Sequence, residues 1–318
     1  MKKILFLRDL KKIHGGHIKF RDYFLHALKH PGVDSYVYFT PDSIPQGGDL
    51  YAEAPRDRFV AQMQIDDYDA VFIAGGKNWK MLPENLNGTK IINLIQDFDN
   101  ADPEDAQFAN LKRKALRICV SEQVYDAVAP HATGETVMIK YGIPLDVFSD
   151  KTEKRPNSIF IWARKNKTLG KSLALELQKR DHDVTLLKDF VPRTEFARIL
   201  GESDIFVALC FAREGFYLPA LEGMARRCAV LCSDAIGNRS FCVHHETCLM
   251  PEHDHFDSHL AMIEQLLADA DLKTRLQQRG YEMAQTYAMH HERENLHRVL
   301  DEYVVNSDAV KERHVKRN

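Results

Sequence analysis

Two glutamates, Glu214 and Glu222, have the side-chain type and spacing that most suggest chemistry. They follow "DIFVALC", an apolar run typical of a buried strand, within the stretch "REGFYLPALEGMA". Gly215 permits a tight turn and Pro219 suits the first turn of a helix, so we predict Glu214 in a loop and Glu222 one turn into a helix. An ionised carboxylate accepts two hydroxyl hydrogen bonds, which suits the vicinal diol of a ribose or a hexose. The alternative is that Glu214 caps the helix and Glu222 is merely exposed, and the spacing does not decide between them.

A basic cluster follows another predicted strand. After "SIFIWA" comes "RKNKTLGKS", which places Arg164, Lys165, Lys167 and Lys171 between the end of a strand and the start of a helix. Backbone amides at a helix N-terminus favour anions, and a guanidinium adds a forked donor for phosphate oxygens. The glycines of a Walker A or G-x-G-x-x-G loop are missing here. A solvated basic loop is the alternative, because runs of charge are common on surfaces.

Short apolar runs alternate with longer amphipathic stretches along the chain. Runs that are apolar at nearly every position, such as "YDAVFIAGG" and "KIINLIQD", suit strands buried on both faces of a parallel sheet, and each is followed by a segment compatible with a helix. A polar, proline-bearing stretch at 142–157 reads as a linker, and the pattern is helical from about 259 to 303. We therefore predict an α/β protein with two Rossmann-like domains, a cleft between them and C-terminal helices.

The predicted domains are residues 1–148 and 149–305, and residues 306–318 are predicted to form a polar tail. Ligands of parallel sheets bind beyond the carboxyl ends of the strands. The loops that follow the strands are therefore where a site is expected, and both the glutamates and the basic cluster lie on such loops.

Composition narrows the class of protein. The formal net charge is −3 over 318 residues, so no general affinity for polyanions is implied. The sequence contains no run of 18 apolar residues, so no membrane span is predicted. The six cysteines have strand-like, apolar surroundings without a pairing pattern, which indicates reduced core residues and a cytosolic protein. Five histidines between 244 and 259 lack the spacing of a metal site, so we predict ordinary surface histidines and no metal.

The stretch "ILGESDIFVALCFAREGFYLPALEGMARRCAVLCSDAIGN" resembles the retaining family 4 glycosyltransferases of GT-B fold, which carry an E-x7-E motif. "VHHETCLMPEHD" and "FIWARKNKTLGKSLALEL" are similar to neighbouring segments of that family. The resemblance is strong over residues 158–254, weaker over residues 116–148, and weakest over the residues that precede 116. It implies transfer of a sugar from a nucleotide-diphosphate donor with retention at the anomeric carbon. It also implies a donor domain in the second half of the chain and an acceptor domain in the first.

The resemblance assigns donor roles by matched position. Glu222 is expected to hold the ribose hydroxyls of the nucleotide. Glu214 is expected to contact the donor sugar, and Arg164 the diphosphate. Backbone amides of the E-x7-E loop are also expected to contact the donor, namely those of Gly215, Phe216 and Tyr217. One of two lysines near Arg164, Lys171 or Lys167, is expected to bind the diphosphate. A glycine pair after the first strand, Gly15 and Gly16, is expected to approach the donor.

Eight Lys and Arg among the first 30 residues, against Asp9 and Asp22, suggest an anionic acceptor. Saccharides and lipid-linked glycans are the favoured acceptor classes, and nucleic acid is a less favoured one. The expected acceptor contacts are Lys11, Lys12, His14, His17, Gln96 and Asp97. The alternative, which we favour slightly, is that these cations only solvate a strand edge and the outer face of a helix.

With Arg164 and Lys171 stabilising the leaving diphosphate, no divalent metal or other cofactor is expected. The protein is predicted to be cytoplasmic, and a peripheral membrane contact is compatible with the sequence. Two alternatives remain: a nucleotide-sugar epimerase of the same fold, and a binding or scaffold protein that kept the fold and lost activity. The first predicts turnover of the nucleotide sugar without an acceptor.

Overall fold

A computed structural model describes residues 1–149 and 152–306, apart from the side chain of Lys77. The chain divides into two compact units, one formed by residues 1–141 and the chain from 290 onward, the other by residues 142–289. The predicted polar tail falls outside the described residues except for Asn306. All six cysteines are free and buried, which confirms the prediction of reduced core cysteines. Within the described residues, no helix has both the length and the apolar character needed to cross a membrane.

The first unit is built on a parallel sheet of six strands. The strands are β1 (Lys2–Arg8), β2 (Val33–Phe39), β3 (Ala70–Ala74), β4 (Lys90–Ile95), β5 (Leu116–Cys119) and β6 (Thr136–Met138). Their order across the sheet is β2-β1-β3-β4-β5-β6. Helix α1 (Gly15–Leu28) connects β1 to β2, and α2 (Glu122–Val128) connects β5 to β6. Aromatic rings form part of the core, where Phe6 stacks on Phe72 with ring centroids 4.5 Å apart.

The prediction of a helix after every strand is wrong in this unit. Short 3-10 turns follow β3 and β4, at Lys77–Met81, Asp99–Ala101 and Phe108–Lys112. Pro83 and Pro103 each lie two residues after one of these turns, and a proline cannot donate the backbone hydrogen bond that a longer helix requires.

The second unit contains a parallel sheet of four strands with helices between them. Its strands are β7 (Ile159–Trp162), β8 (Val184–Leu187), β9 (Ile205–Ala208) and β10 (Ala229–Cys232), in the order β10-β9-β7-β8. Its helices are α3 (Lys167–Lys179), α4 (Arg193–Glu202), α5 (Leu218–Ala225), α6 (Phe256–Ala268) and α7 (Ala270–Gln285). All four strands are short, and three of them are buried at every position, as expected for a parallel sheet covered by helices.

The last helix, α8 (Met289–Leu300), carries the chain back to the first unit, and a π-helical turn (Asp301–Val305) follows it. The segment that enters the second unit is hydrogen-bonded to the segment that leaves it: Ile143 N–H donates to the carbonyl of Tyr287 at 2.8 Å. This pairing is why residues 142–148, predicted to end the first domain, group with the second unit. Residues 290–305 were predicted to belong to the second domain and here group with the first.

A buried charge cluster fastens α8 to α1 within the first unit. Lys19 on α1 is fully buried, and its ammonium lies 2.7 Å from Glu292 Oε2 and 3.2 Å from Asp22 Oδ2. His26 Nε2 lies 3.1 Å from the other oxygen of Glu292. A buried charge is tolerated only where it is paired, so Glu292 and Lys19 depend on each other.

Replacing Glu292 with glutamine should destabilise the protein strongly. The amide keeps the shape of the side chain but removes one of the two carboxylates that compensate Lys19, the other being Asp22. Breaking a buried pair costs about 3–5 kcal/mol of unfolding free energy. Urea unfolding measures this change. Glu294→Gln is the matched control, because Glu294 is exposed on the same helix. Similar midpoints for the two variants would show that the pair does not hold α8 in place.

Candidate functional site

The carboxyl edge of the second sheet brings three loops that carry candidate site residues to one level. In the sheet register Trp162, the last residue of β7, pairs with Leu187 at the end of β8 and with Ala208 at the end of β9. The loops that follow these strands carry the basic cluster, a short acidic and aromatic segment, and Glu214. Their common origin at one edge of the sheet explains why residues distant in sequence meet here.

Glu214 lies in the loop between β9 and α5, as the sequence predicted. Its carboxylate is 17% exposed and lies 2.9 Å from the ammonium of Lys165. The N-cap residue of α5 is Tyr217, which makes no side-chain cap hydrogen bond, so Glu214 does not cap this helix. The carboxylate is thus part of an ion pair at the sheet edge and has an orientation set by Lys165.

A turn after β10 holds the Glu214 loop in position. Gly237 N–H donates to the carbonyl of Glu214 at 3.0 Å, and Asn238, which is fully buried, accepts from the backbone N–H of Tyr217 at 2.7 Å. Our assignment from sequence omitted both residues, although the "GN" after the last strand was part of the resemblance. The amide of Tyr217, one of the predicted donor contacts, is therefore already engaged in the fold.

The side chains of the two aromatic residues in the loop, Phe216 and Tyr217, pack into the core. The Tyr217 hydroxyl donates to the carbonyl of Leu209 at 2.8 Å, and the ring is 4% exposed. Phe216 packs on Phe241 and Tyr287, with ring centroids 5.0 and 5.9 Å apart. These contacts anchor both ends of the loop that presents Glu214.

Glu222 lies one turn into α5, and it is buried rather than merely exposed. The residue is 6% exposed, and its Oε1 lies 3.3 Å from the guanidinium of Arg193 at the start of α4. Arg193 was not predicted as a site residue, because no sequence spacing relates the start of one helix to the middle of the next. The alternative in which Glu214 caps the helix and Glu222 is solvated does not describe the structure.

The basic cluster is divided among different partners. Arg164 lies over the ring of Phe190, 5.7 Å from its centroid. Lys167 pairs with Asp189 at 2.7 Å, and both of these side chains are largely exposed. Lys171 is exposed on α3. Lys165, which was not among the assigned site residues, is the lysine that contacts Glu214.

The glycine pair of the first unit begins α1. A Cβ on Gly15 would meet no atom within 4 Å, whereas one on Gly16 would lie 3.1 Å from Gln96 Oε1. The amide of Gln96 donates to the carbonyl of Gly16 at 3.2 Å and contacts the Tyr141 hydroxyl at 2.5 Å. Gln96 therefore ties the end of β4 to the start of α1.

Asp97 is the residue next to Gln96, and it accepts a hydrogen bond from Asn100 at 2.7 Å. Burial, followed by the nearby charge of Asp99, raises the pKa of the Asp97 carboxyl above its ordinary value. The structure thus places Gln96 and Asp97 together at the carboxyl end of β4.

His17 is part of the interior rather than of an exposed surface. It is 6% exposed, and its Nδ1 accepts from Arg8 Nε at 2.9 Å, so a neutral ring carries its proton on Nε2. Burial, with the positive charge of Arg8 as the next cause, lowers the pKa of His17 to about 2. His14 is exposed, with its ring centroid 4.0 Å from that of His17.

Several of the eight Lys and Arg side chains near the N-terminus are buried or paired with carboxylates. Lys19 and Arg8 are buried. Lys11 pairs with Asp42 at 3.2 Å and with Asp9 at 3.7 Å, and Arg21 lies 2.8 Å from Asp22. Lys12 is exposed. Partial neutralisation of this segment agrees more with a structural role for its cations than with a dense cationic surface.

The histidines between 244 and 259 also have structural contacts. His255 accepts from Ser258 N–H at 3.1 Å and caps α6. His259 is 1% exposed, so the prediction of surface histidines is wrong for this residue, whose Nε2 lies 3.4 Å from Ser233 Oγ. Among residues 1–149 and 152–306, no three His, Cys, Asp or Glu side chains are grouped as ligands of a metal ion would be.

Comparison with known proteins relates the second unit to one family. The family model described as "Glycosyl transferases group 1" matches residues 154–283, which include Arg164, Glu214 and Glu222. No curated protein sequence matches the chain.

Solved structures share the fold over nearly the whole chain. Anabaena Alr3699/HepE in complex with UDP-glucose is 15% identical, with 95% of this chain and 100% of that chain covered and a TM-score of 0.74. Sucrose-phosphate synthase from Thermosynechococcus elongatus is 15% identical, with 95% and 99% covered and a TM-score of 0.71. The S. aureus MnaA–UDP co-structure is 12% identical, with 95% and 97% covered and a TM-score of 0.64. The chain has the GT-B fold, which confirms the predicted fold class.

Replacing Gly237 with alanine should displace the Glu214 loop. The added Cβ would lie 1.9 Å from the carbonyl oxygen of Gly215 and 2.7 Å from that of Glu214, so the backbone must move. Overpacking of this kind costs about 1–3 kcal/mol of unfolding free energy. Urea unfolding, together with faster hydrogen exchange of amides 211–217, measures the effect. In the control Gly15→Ala the new methyl group meets no atom within 4 Å. Equal losses of stability in the two variants would show that the turn at Gly237 does not hold the Glu214 loop in position.

Stability should depend on pH through His17. The unfolded chain binds a proton at His17 below about pH 6.5, but the folded chain does so only near pH 2. The stability that the neutral ring confers is therefore complete above pH 6.5 and decreases as the pH falls. His17→Asn keeps an acceptor for Arg8. Between pH 4 and 6, the number of protons that the protein takes up on unfolding should decrease by up to one in this variant. Urea unfolding at several pH values measures this number. Exposed His291→Asn is the control, and an equally small effect of both substitutions would contradict the assignment.

Proposed function

We propose that this protein is a glycosyltransferase that moves a sugar from a nucleotide-diphosphate donor to an acceptor. The observation that carries the proposal is the pair of carboxylates, Glu214 and Glu222, at the carboxyl edge of a parallel sheet. Both lie within the segment that matches group 1 glycosyl transferases. The likeness of the fold to proteins whose structures contain UDP or UDP-glucose supports a nucleotide-sugar donor.

We assign the two glutamates to different parts of the donor. Glu222, which is buried and paired with Arg193, is suited to the ribose hydroxyls, because a carboxylate accepts hydrogen bonds from hydroxyl groups. Glu214, in the loop between β9 and α5, is suited to the hydroxyls of the sugar. Uridine diphosphate is the first donor nucleotide to test, since the relatives with the same fold bind it.

The chemistry requires stabilisation of the leaving diphosphate. As the bond between sugar and phosphate breaks, negative charge grows on the diphosphate, and fixed cations stabilise it without reorganisation. Arg164 and Lys165 follow the same strand, and Lys165 contacts Glu214 while Arg164 lies over Phe190 at the same edge of the sheet, which supports them as these cations. Lys167 and Lys171, the lysines assigned from sequence, are the alternatives. Charge stabilisation by these side chains is the basis for proposing that no divalent metal is required.

Retention at the anomeric carbon, membership of family 4 and a hexosyl or pentosyl donor are carried by the resemblance of the E-x7-E segment alone. An anionic acceptor stays a prediction, as do peripheral membrane contact and a cytoplasmic location. The pairing of Lys11 with Asp9 and Asp42 gives that acceptor less support than the sequence did. The glycine pair, Gly15 and Gly16, is proposed as a donor contact of the first unit.

Nucleotide binding tests the proposal directly. Calorimetry with UDP, and then with GDP, ADP, dTDP and CMP, should show micromolar binding of one of them to the wild-type protein. Glu222→Gln and Arg164→Ala should each weaken this affinity by about 10- to 100-fold, because each removes a charged hydrogen bond of about 1.5–3 kcal/mol.

A lysine series identifies the second cation. Lys165→Met should weaken diphosphate binding by about tenfold or more. Lys179→Met, at the far and exposed end of α3, is the control. A larger effect of Lys167→Met or Lys171→Met would return the role to the residue assigned from sequence. If none of the five nucleotides binds to the wild-type protein, the transferase proposal is refuted.

A further inference from the structure

Phe211 is a large aromatic side chain that the fold leaves 55% exposed. It lies three residues after the end of β9 and three residues before Glu214. Burial of a phenylalanine side chain stabilises a fold, and this side chain forgoes more than half of that burial. Its place at the carboxyl edge of the sheet, where the candidate donor site lies, calls for a functional explanation.

The ring belongs to a compact cluster with a cation and a carboxylate. The ammonium of Lys165 lies 4.8 Å from the centroid of the Phe211 ring and 2.9 Å from Glu214 Oε1. The backbone closes the same group, since Glu214 N–H donates to the carbonyl of Phe211 at 3.4 Å. We call these three residues, Phe211, Lys165 and Glu214, the Phe211 cluster.

This combination of groups matches the chemistry of a pyranose ring. A sugar presents an apolar face of C–H groups and a rim of hydroxyls. A flat aromatic ring packs against such a face, while a carboxylate accepts from the hydroxyls and an ammonium donates to them. Sites for small ligands have this composition, apolar surface with a few oriented polar groups. In the Phe211 cluster Lys165 orients the ring from one side, and the exposed part of the ring remains for the sugar.

A second aromatic residue at the same edge provides a comparison. Phe190 is 42% exposed and lies under Arg164, with 5.7 Å between the guanidinium and the ring centroid. Its neighbour Asp189 is 81% exposed and pairs with Lys167. The carboxylate next to Phe190 in the chain is therefore solvent-exposed, whereas Glu214 in the Phe211 cluster is only 17% exposed.

We propose that Phe211 is a carbohydrate-stacking residue, and that its ring packs against the face of a pyranose whose hydroxyls bind Glu214. The inference rests on the proposed function, because Glu214 has been assigned to sugar hydroxyls there. The pyranose belongs either to the donor or to the acceptor, and the chemistry of stacking is the same for both.

Three variants test the inference: Phe211→Ala removes the ring, Phe211→Tyr keeps it, and Leu175→Ala, at an exposed apolar side chain on α3, is the matched control. The probes are UDP and UDP-glucose, measured by calorimetry, and methyl α-D-glucopyranoside in the presence of UDP, measured by saturation-transfer NMR. Phe211→Ala should bind UDP within about twofold of wild type. It should bind one of the two sugar probes about three- to tenfold more weakly, the range that aromatic packing supplies. Phe211→Tyr and Leu175→Ala should resemble wild type.

The outcomes separate this inference from the proposed function. Weaker binding of UDP-glucose relative to UDP assigns the stacked sugar to the donor, and weaker binding of the glucoside assigns it to the acceptor. If wild type binds UDP and Phe211→Ala changes neither sugar probe, the stacking role is refuted and the donor site stands. An equal loss of UDP and UDP-glucose affinity also refutes it, because the ring would then act on the nucleotide. If wild type binds no nucleotide, the proposed function fails and this inference fails with it.

Discussion

Parallel pairing of β7 with both β8 and β9 is the constraint on which the candidate site depends. Because the last residues of these strands are paired in register, the chain leaves the sheet at one level in three consecutive loops. Arg164 and Lys165 follow one strand, Asp189 and Phe190 the second, and the Glu214 loop the third. Backbone hydrogen bonds fix this arrangement, so the side chains inherit their proximity from the sheet rather than from contacts among themselves.

The site also shows how carboxylates are kept at the edge of a hydrophobic core. Each glutamate of the pair has a cation within 3.3 Å: Lys165 for Glu214 and Arg193 for Glu222. These pairs offset the cost of partial desolvation and hold each carboxylate in one orientation. A ligand therefore meets carboxylates whose positions are already set, which reduces the entropy lost on binding.

The sequence predicted the second unit well because its signals are local. Gly215 and Pro219 mark a turn and a helix start, and this placed Glu214 and Glu222 where the structure has them. The partners Arg193, Asn238 and Lys165 were not assigned, since their proximity arises from the register of distant strands. In the first unit the helices expected after β3 and β4 are short turns, since prolines override a weak periodic pattern. The burial of Lys19 could not be predicted either, because its partner Glu292 is far away in the chain.

The return of residues 290–306 to the first unit has a consequence for the order of folding during synthesis. The second unit, 142–289, is an insertion in the chain of the first. At roughly 5–20 residues per second, the ribosome needs on the order of ten seconds to pass from β6 to α8. For that time Lys19 has only Asp22 as a carboxylate partner, so α1 lacks one of the two charges with which Lys19 is buried in the finished protein. The unit that is later in sequence is thus the first whose residues are all present, and the earlier one is completed after it.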